Sequence, residues 1–230
     1  MRLLEQQFQN PLSPEEIARV KREEEVALAA EQARKERAAT RALMSTVRSG
    51  DVVPGKGVYV GIWAPRDENG ESLKSEYYVF GAPEDLEKRG KRLWNFNEAS
   101  AELASRKRWA GFDGRSFSNH RELYKSLADG SYDGEWLIPP LEIVDSFRNE
   151  DMWKHGGSLY DVKNRGAFAG SFSVSGEMNW YWTCTEYPKI EGRMLTIDFD
   201  PHNLNNTNWA FKESIRMNVR PCRLERVPSL

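Results

Sequence analysis

The sequence predicts an α+β protein in which a long N-terminal helical arm precedes a globular body built from separate blocks of strand, helix and strand. Three observations carry this. Residues 13 to 48 are almost all good helix formers, opened by a capping signal. Strand-like runs at 57–63 and 76–80 return only after residue 180, with two Asn-x-x-Glu helix starts between them. Finally, the aromatics divide the chain: of 8 Trp, 8 Tyr and 10 Phe, only Phe8 comes before Tyr59.

Ser13-Pro14-Glu15-Glu16 supplies an N-cap serine, a proline at the first helical position and a glutamate three residues after the cap. Glu15 with Arg19 and Glu31 with Lys35 stand in the favourable i,i+4 order. Ser49-Gly50 is the expected stop, and Pro54 blocks continuation. The apolar stripe is thin: Ile17, Val20, Leu28, Ala38, Ala39 and Ala42 are interrupted by Glu24 and Glu31. A helix this polar is marginal alone and needs something to lie against. The expected division is therefore an arm for docking or oligomerisation over 1–50 and a folded domain over 55–227.

In the body, Gly57–Trp63 and Glu76–Phe80 read as a hairpin with a long loop containing Asp67-Glu68-Asn69-Gly70. Asn95-Phe96-Asn97-Glu98 and Asn119-His120-Arg121-Glu122 each open a short helix, the second stopped by Gly130. Trp136-Leu137-Ile138 is a short apolar run closed by Pro139-Pro140, and a third short helix is expected from about Leu141 to Arg148. Residues 150–178, rich in Gly, Ser and Asn, read as a long ordered loop. Strands are expected at 180–187, 193–199 and 215–224, with a turn-rich loop between the last two.

The charge arithmetic narrows function. Among 230 residues, 33 Lys and Arg stand against 35 Asp and Glu, a net charge of −2, which argues against a broadly basic nucleic-acid binder. Mean hydropathy is −0.71, and no apolar run approaches the roughly 20 residues of a membrane helix. The N-terminus has no apolar h-region, so the expectation is synthesis and folding in a cytosol. Cys184 and Cys222 allow one disulfide or two buried free thiols, the latter favoured. The three histidines are scattered, and no nucleophile elbow, P-loop or dinucleotide fingerprint occurs. Asp198, Asp200, His202 and Asn203 could ligate a hard cation, but turn formation is the favoured role, and no metal or cofactor is expected. The alternation of Trp180, Tyr181 and Trp182 puts aromatics on both faces, as in a core strand. The candidate ligand-binding residues are instead those of the loop 202–209: His202, Asn203, Asn205, Asn206, Asn208 and Trp209, whose amides and indole suit adaptable recognition.

Four segments carry a resemblance to a known family. Asn95-Phe96-Asn97-Glu98-Ala99 resembles the opening of its first helix. Trp136-Leu137-Ile138-Pro139 with Glu142-Ile143 resembles its Trp-Arg-Leu-Pro-Thr-x-x-Glu-Leu segment, with Ile138 and Pro140 as departures around Pro139. Trp180–Glu186 resembles its Tyr-Trp-Ser-Ser-Thr-Glu strand, and Val219-Arg220-Pro221-Cys222-Arg223 its terminal Val-Arg-Cys-Val-Arg strand. The family is the Lcl-like domain of bacterial and phage proteins, of unknown function, with a C-type-lectin-like fold related to formylglycine-generating enzymes. The resemblance spans roughly residues 55–227.

It implies a non-enzymatic bacteriophage virion protein, structural or adhesive, made in the bacterial cytoplasm and displaying a lectin-like head. Its expected partners are other virion proteins or itself through the arm, and a host surface glycan or protein through the head, with no nucleic acid and no membrane. The alternative is a ligand-binding variable protein of a diversity-generating retroelement, which uses the same fold. Oxidase chemistry of the formylglycine-generating type is disfavoured, because Cys184 sits in a strand motif where the family has Ser.

Overall fold

The structure is a computed structural model, and it describes residues 13–67, 70–105, 112–145, 150–172, 179–200 and 207–229. The chain divides into two compact units, one comprising residues 1–46 with 228–230, the other residues 47–227.

The first unit is helix α1 (Pro14–Met44). Its capping box forms as the sequence expects: Ser13 Oγ accepts the Glu16 N–H at 3.2 Å, and Glu16 Oε2 accepts the Ser13 N–H at 2.8 Å. Glu31 and Lys35 pair at 2.7 Å, while Arg19 lies 3.7 Å from Glu23. The helix ends four residues earlier than residue 48. The N–H of Ser45 bonds back to Arg41 and Leu43, and the hydroxyls of Ser45 and Thr46 take the Ala42 and Leu43 carbonyls, so the last turn closes on its own side chains. Arg41 Nε donates to the Pro228 carbonyl at 2.8 Å.

The second unit holds two antiparallel sheets. β1 (Val52–Val53), β2 (Gly57–Trp63) and β3 (Tyr77–Gly81) form the expected hairpin, extended by the unexpected two-residue β1. Helices α2 (Phe96–Ser105) and α3 (His120–Asp129) follow where the Asn-x-x-Glu starts place them. Asn95 and Asn119 each accept the N–H of the glutamate three residues on, at 2.8 and 3.1 Å. Gly130 closes α3 in the left-handed conformation, φ 77°. The third helix is the short α4 (Leu141–Val144): it ends sooner than expected, since Asp145 is already extended, and residues 146–148 of the expected span lie outside the described residues.

The segment read as a long loop carries more regular structure than expected. It contains β4 (Trp153–His155), which pairs with β2, and α5 (Leu159–Val162) with its own capping box between Ser158 and Asp161. These pieces are too short for periodicity to reveal. β5 (Trp180–Glu186) and β6 (Arg193–Asp198) then pair as a hairpin, joined by β7 (Thr207–Phe211). β8 (Cys222–Arg226) closes the first sheet, giving the order β1-β2-β3-β8 beside the second sheet β5-β6-β7.

The strand expected over 215–224 is a correction. Met217 and Asn218 make only isolated bridges, to Trp94 and Tyr181, and the regular strand starts at Cys222. The reason is visible in the pairing: the Val219 and Pro221 carbonyls accept the N–H groups of Leu86 and Ala82, outside any strand, and Pro221 has no N–H to continue a ladder.

The core lies within this second unit. Trp63, Trp136, Trp182, Tyr59, Tyr181, Phe80 and Phe96 are all fully buried. Both Trp182 and Tyr181 are buried, as expected of a core strand, and Trp182 Nε1 donates to the Trp94 carbonyl at 2.8 Å. Arg220 is buried beside them. Its Nε meets Asp85 at 2.7 Å, its Nη1 and Nη2 donate to the Ala82 and Ser171 carbonyls, and its guanidinium lies over the Phe172 ring at 4.0 Å. Tyr181 OH donates to the other Asp85 oxygen at 2.9 Å. Burial raises the Asp85 pKa, and the Arg220 charge pulls it back.

Candidate functional site

The site grows from the register of β6 on β7. Arg193 faces Phe211, Met194 faces Ala210, and Leu195 faces Trp209. Strand alternation then puts Met194 and Ala210 on the core side, where both are buried, and Arg193, Leu195, Trp209 and Phe211 on the other. Among the described residues β7 is the edge of its sheet, and Trp209 and Phe211 remain 38% and 44% exposed.

These side chains form one stacked group. The Arg193 guanidinium lies 3.6 Å from the Trp209 ring centre and 4.2 Å from that of Phe211. The two rings meet edge to face at 6.2 Å, and Tyr187 adds a third aromatic 5.9 Å from Trp209. A cation on an aromatic face gains about 0.5–1 kcal/mol at an exposed site. The stack also fixes the planes of the rings at small entropic cost. The Arg193 Nε is buried and makes no hydrogen bond among the described residues.

Beside the stack runs a cleft of about 460 Å³ lined by His120, Glu186, Tyr187, Ile190, Arg193 and Leu195. The turn from β5 to β6 shapes it: Tyr187 donates its N–H to the Arg193 carbonyl at 2.9 Å, and Gly192 takes the left-handed φ of 76°. His120 Nδ1 accepts the Glu186 N–H at 3.4 Å, which ties the start of α3 to this wall. Lys212 Nζ lies 3.8 Å from Glu186. The surface therefore offers aromatic faces, cationic and anionic groups and a concave wall in one place. Aromatic residues and arginine are the types that dominate binding surfaces.

Of the six residues singled out in the sequence, Asn208 and Trp209 are placed. They lie on strand β7 rather than in a loop, which corrects the reading of residues 207–209 as a turn-rich tip. The Asn-rich run before them masks a strand whose partner, β6, is reached only through tertiary pairing. Asn208 is exposed, and its Oδ1 accepts the Trp209 N–H at 2.8 Å. His202, Asn203, Asn205 and Asn206 lie outside the described residues. Arg193, Tyr187 and Phe211 were missed. Phe211 had a signal, since it stands two residues after Trp209 and so shares its face. The stacking of Arg193 is a cross-strand contact that a linear sequence does not carry.

Other chemistry-bearing groups behave differently. Asp198 Oδ1 accepts the Asp200 N–H at 2.8 Å, the self-bonded turn expected of such residues. Among the described residues, no group of three His, Cys, Asp or Glu side chains is arranged to hold a metal ion. No helix among them is long and apolar enough to cross a membrane. Cys184 and Cys222 are free and buried, and burial pushes both thiols up, the opposite of an activated cysteine. Glu142 and Tyr124 face the same interior as Cys184 and interact with one another there; burial raises both. The chain matches no family model, and no curated protein or solved structure matches it significantly.

Proposed function

We propose that the protein is a non-enzymatic bacteriophage virion protein, structural or adhesive, whose C-type-lectin-like head recognises a host surface ligand and whose N-terminal helix provides attachment. The observation that carries the recognition role is the stack of Arg193, Trp209 and Phe211, held open on an edge sheet beside a cleft. Stable folding gives a reason to bury such side chains, and binding gives a reason to expose them. The lectin-like reading is supported by the strand order. The first hairpin of the head pairs with its last strand, and the helices and a second antiparallel sheet come between. The virion assignment rests on the four resembling segments.

The test uses the full chain on an array of bacterial surface polysaccharides, followed by titration of any that binds. Trp209→Ala and Phe211→Ala should each weaken binding about tenfold or more, the scale of a hot-spot aromatic, with unchanged thermal unfolding. An array on which nothing binds, or binding that survives both substitutions together, overturns the recognition role. Capsid or tail genes beside its gene would support the virion assignment, and a reverse transcriptase with a template repeat there would overturn it.

A further inference from the structure

We propose that α1 pairs side by side with α1 of a second copy of this chain, and that the pair is antiparallel. The proposal builds on the attachment role given to α1 above and names the partner. It starts from how charge is distributed along the helix. Residues 15–25 hold Glu15, Glu16, Glu23, Glu24 and Glu25 against Arg19, Lys21 and Arg22, a net of −2. Residues 31–41 hold Arg34, Lys35, Arg37 and Arg41 against Glu31 and Glu36, a net of +2. Between them Val26–Ala30 is uncharged, and Val26 and Leu28 are each 69% exposed.

An acidic start and a basic end also suit the dipole of a single helix. That effect fades within the first and last turns. Glu23, Glu24 and Glu25, and Arg34, Lys35 and Arg37, lie in the interior of α1, beyond its reach. Pairs within the helix account for part of the pattern, Glu31 with Lys35 and Arg19 with Glu23. They do not account for the segregation, because i,i+4 pairs form equally well with charges mixed evenly along the chain.

The seam Arg19, Arg22, Val26, Ala29, Ala33, Glu36 has alternating spacings of three and four and so lies on one face. It is basic at one end, apolar in the middle and acidic at the other. In a parallel pair each charge meets its own copy. In an antiparallel pair Arg19 and Arg22 approach the partner's Glu36, the apolar middles meet, and each acidic half lies along a basic half. Ala29 and Ala33 keep the seam narrow, so the two backbones approach closely. A second copy is thus complementary to α1 along its length, and the pairing gives this polar helix the packing it lacks alone.

The test is made on the full chain. Sedimentation should show a dimer. Arg19→Glu with Arg22→Glu should weaken it about tenfold or more, as like charges now face Glu36, and adding Glu36→Arg should restore it. Direction is read by mild oxidation. Arg19→Cys with Glu36→Cys should cross-link two chains, and Arg19→Cys alone should not, since the native cysteines are buried. A monomer at every concentration, efficient cross-linking through Arg19→Cys alone, or no restoration by Glu36→Arg overturns the proposal. Glycan binding by the head is measured separately. A dimeric chain that binds nothing on the array would sink the recognition role and leave the pairing intact.

Discussion

Two five-residue strands, β3 and β7, show how little aromatic content says about purpose. β3 reads Tyr-Tyr-Val-Phe-Gly and is buried at every position. β7 reads Thr-Asn-Trp-Ala-Phe and buries only Ala210. The difference lies in their neighbours. β3 runs between β2 and β8 and is paired on both sides, whereas β7 ends its sheet among the described residues. β3 has its two edges paired and both faces covered, whereas β7 has one edge and one face open to solvent or a ligand.

Truncating the aromatics sharpens this contrast most. Phe80→Ala in β3 should cost about 3–5 kcal/mol of unfolding free energy, the range for a buried ring. Phe211→Ala should stay within about 0.5 kcal/mol, the usual range for a surface position. Urea titration of both variants checks this, and equal losses would break the comparison. A glycine pair gives a smaller contrast. A Cβ at Gly61, in β2 beside β3, would sit 2.2 Å from the His155 carbonyl oxygen, so Gly61→Ala should cost about 1–3 kcal/mol. Gly192, at the turn before β6, has open space around it but a φ of +76°, so Gly192→Ala should cost only about 1 kcal/mol of backbone strain.

The smallest expected effect is a pH dependence in the buried interior. Burial holds the Glu142 carboxyl above its ordinary 4.5. The folded protein then keeps a proton that the unfolded chain has released. The stability this gives is complete below the unfolded value and is lost as pH rises through the raised folded one. Glu142→Gln cannot ionise. It should therefore match the parent protein at the acidic end and become relatively more stable toward neutral pH. Urea midpoints of both proteins across that range measure the gap, and a gap that does not widen with pH contradicts it.

Local signals in the sequence located the local structure. Ser13, Asn95 and Asn119 cap helices because a cap needs only its own next three residues. β2, β3, β5 and β6 were legible from alternation and aromatic content. What stayed hidden depends on distant partners. β1 is two residues long, β4 three, and β7 begins in an Asn-rich run; each is a strand only because of what it pairs with. The candidate site shows the same split. Trp209 stood out in the sequence, whereas Arg193 and Tyr187 join it only once β5, β6 and β7 are aligned.

The pairing of β3 with β8 has a consequence in time. A ribosome delivers Tyr77–Gly81 long before Cys222–Arg226, yet these are direct neighbours in the first sheet. Until β8 emerges, one side of β3 presents unpaired backbone and two tyrosines, a valine and a phenylalanine. Such an edge invites misassembly while it waits. The head can complete its core only once β8 has been made, and losing the last few residues of β8 would cost it a central strand's partner rather than a loose tail.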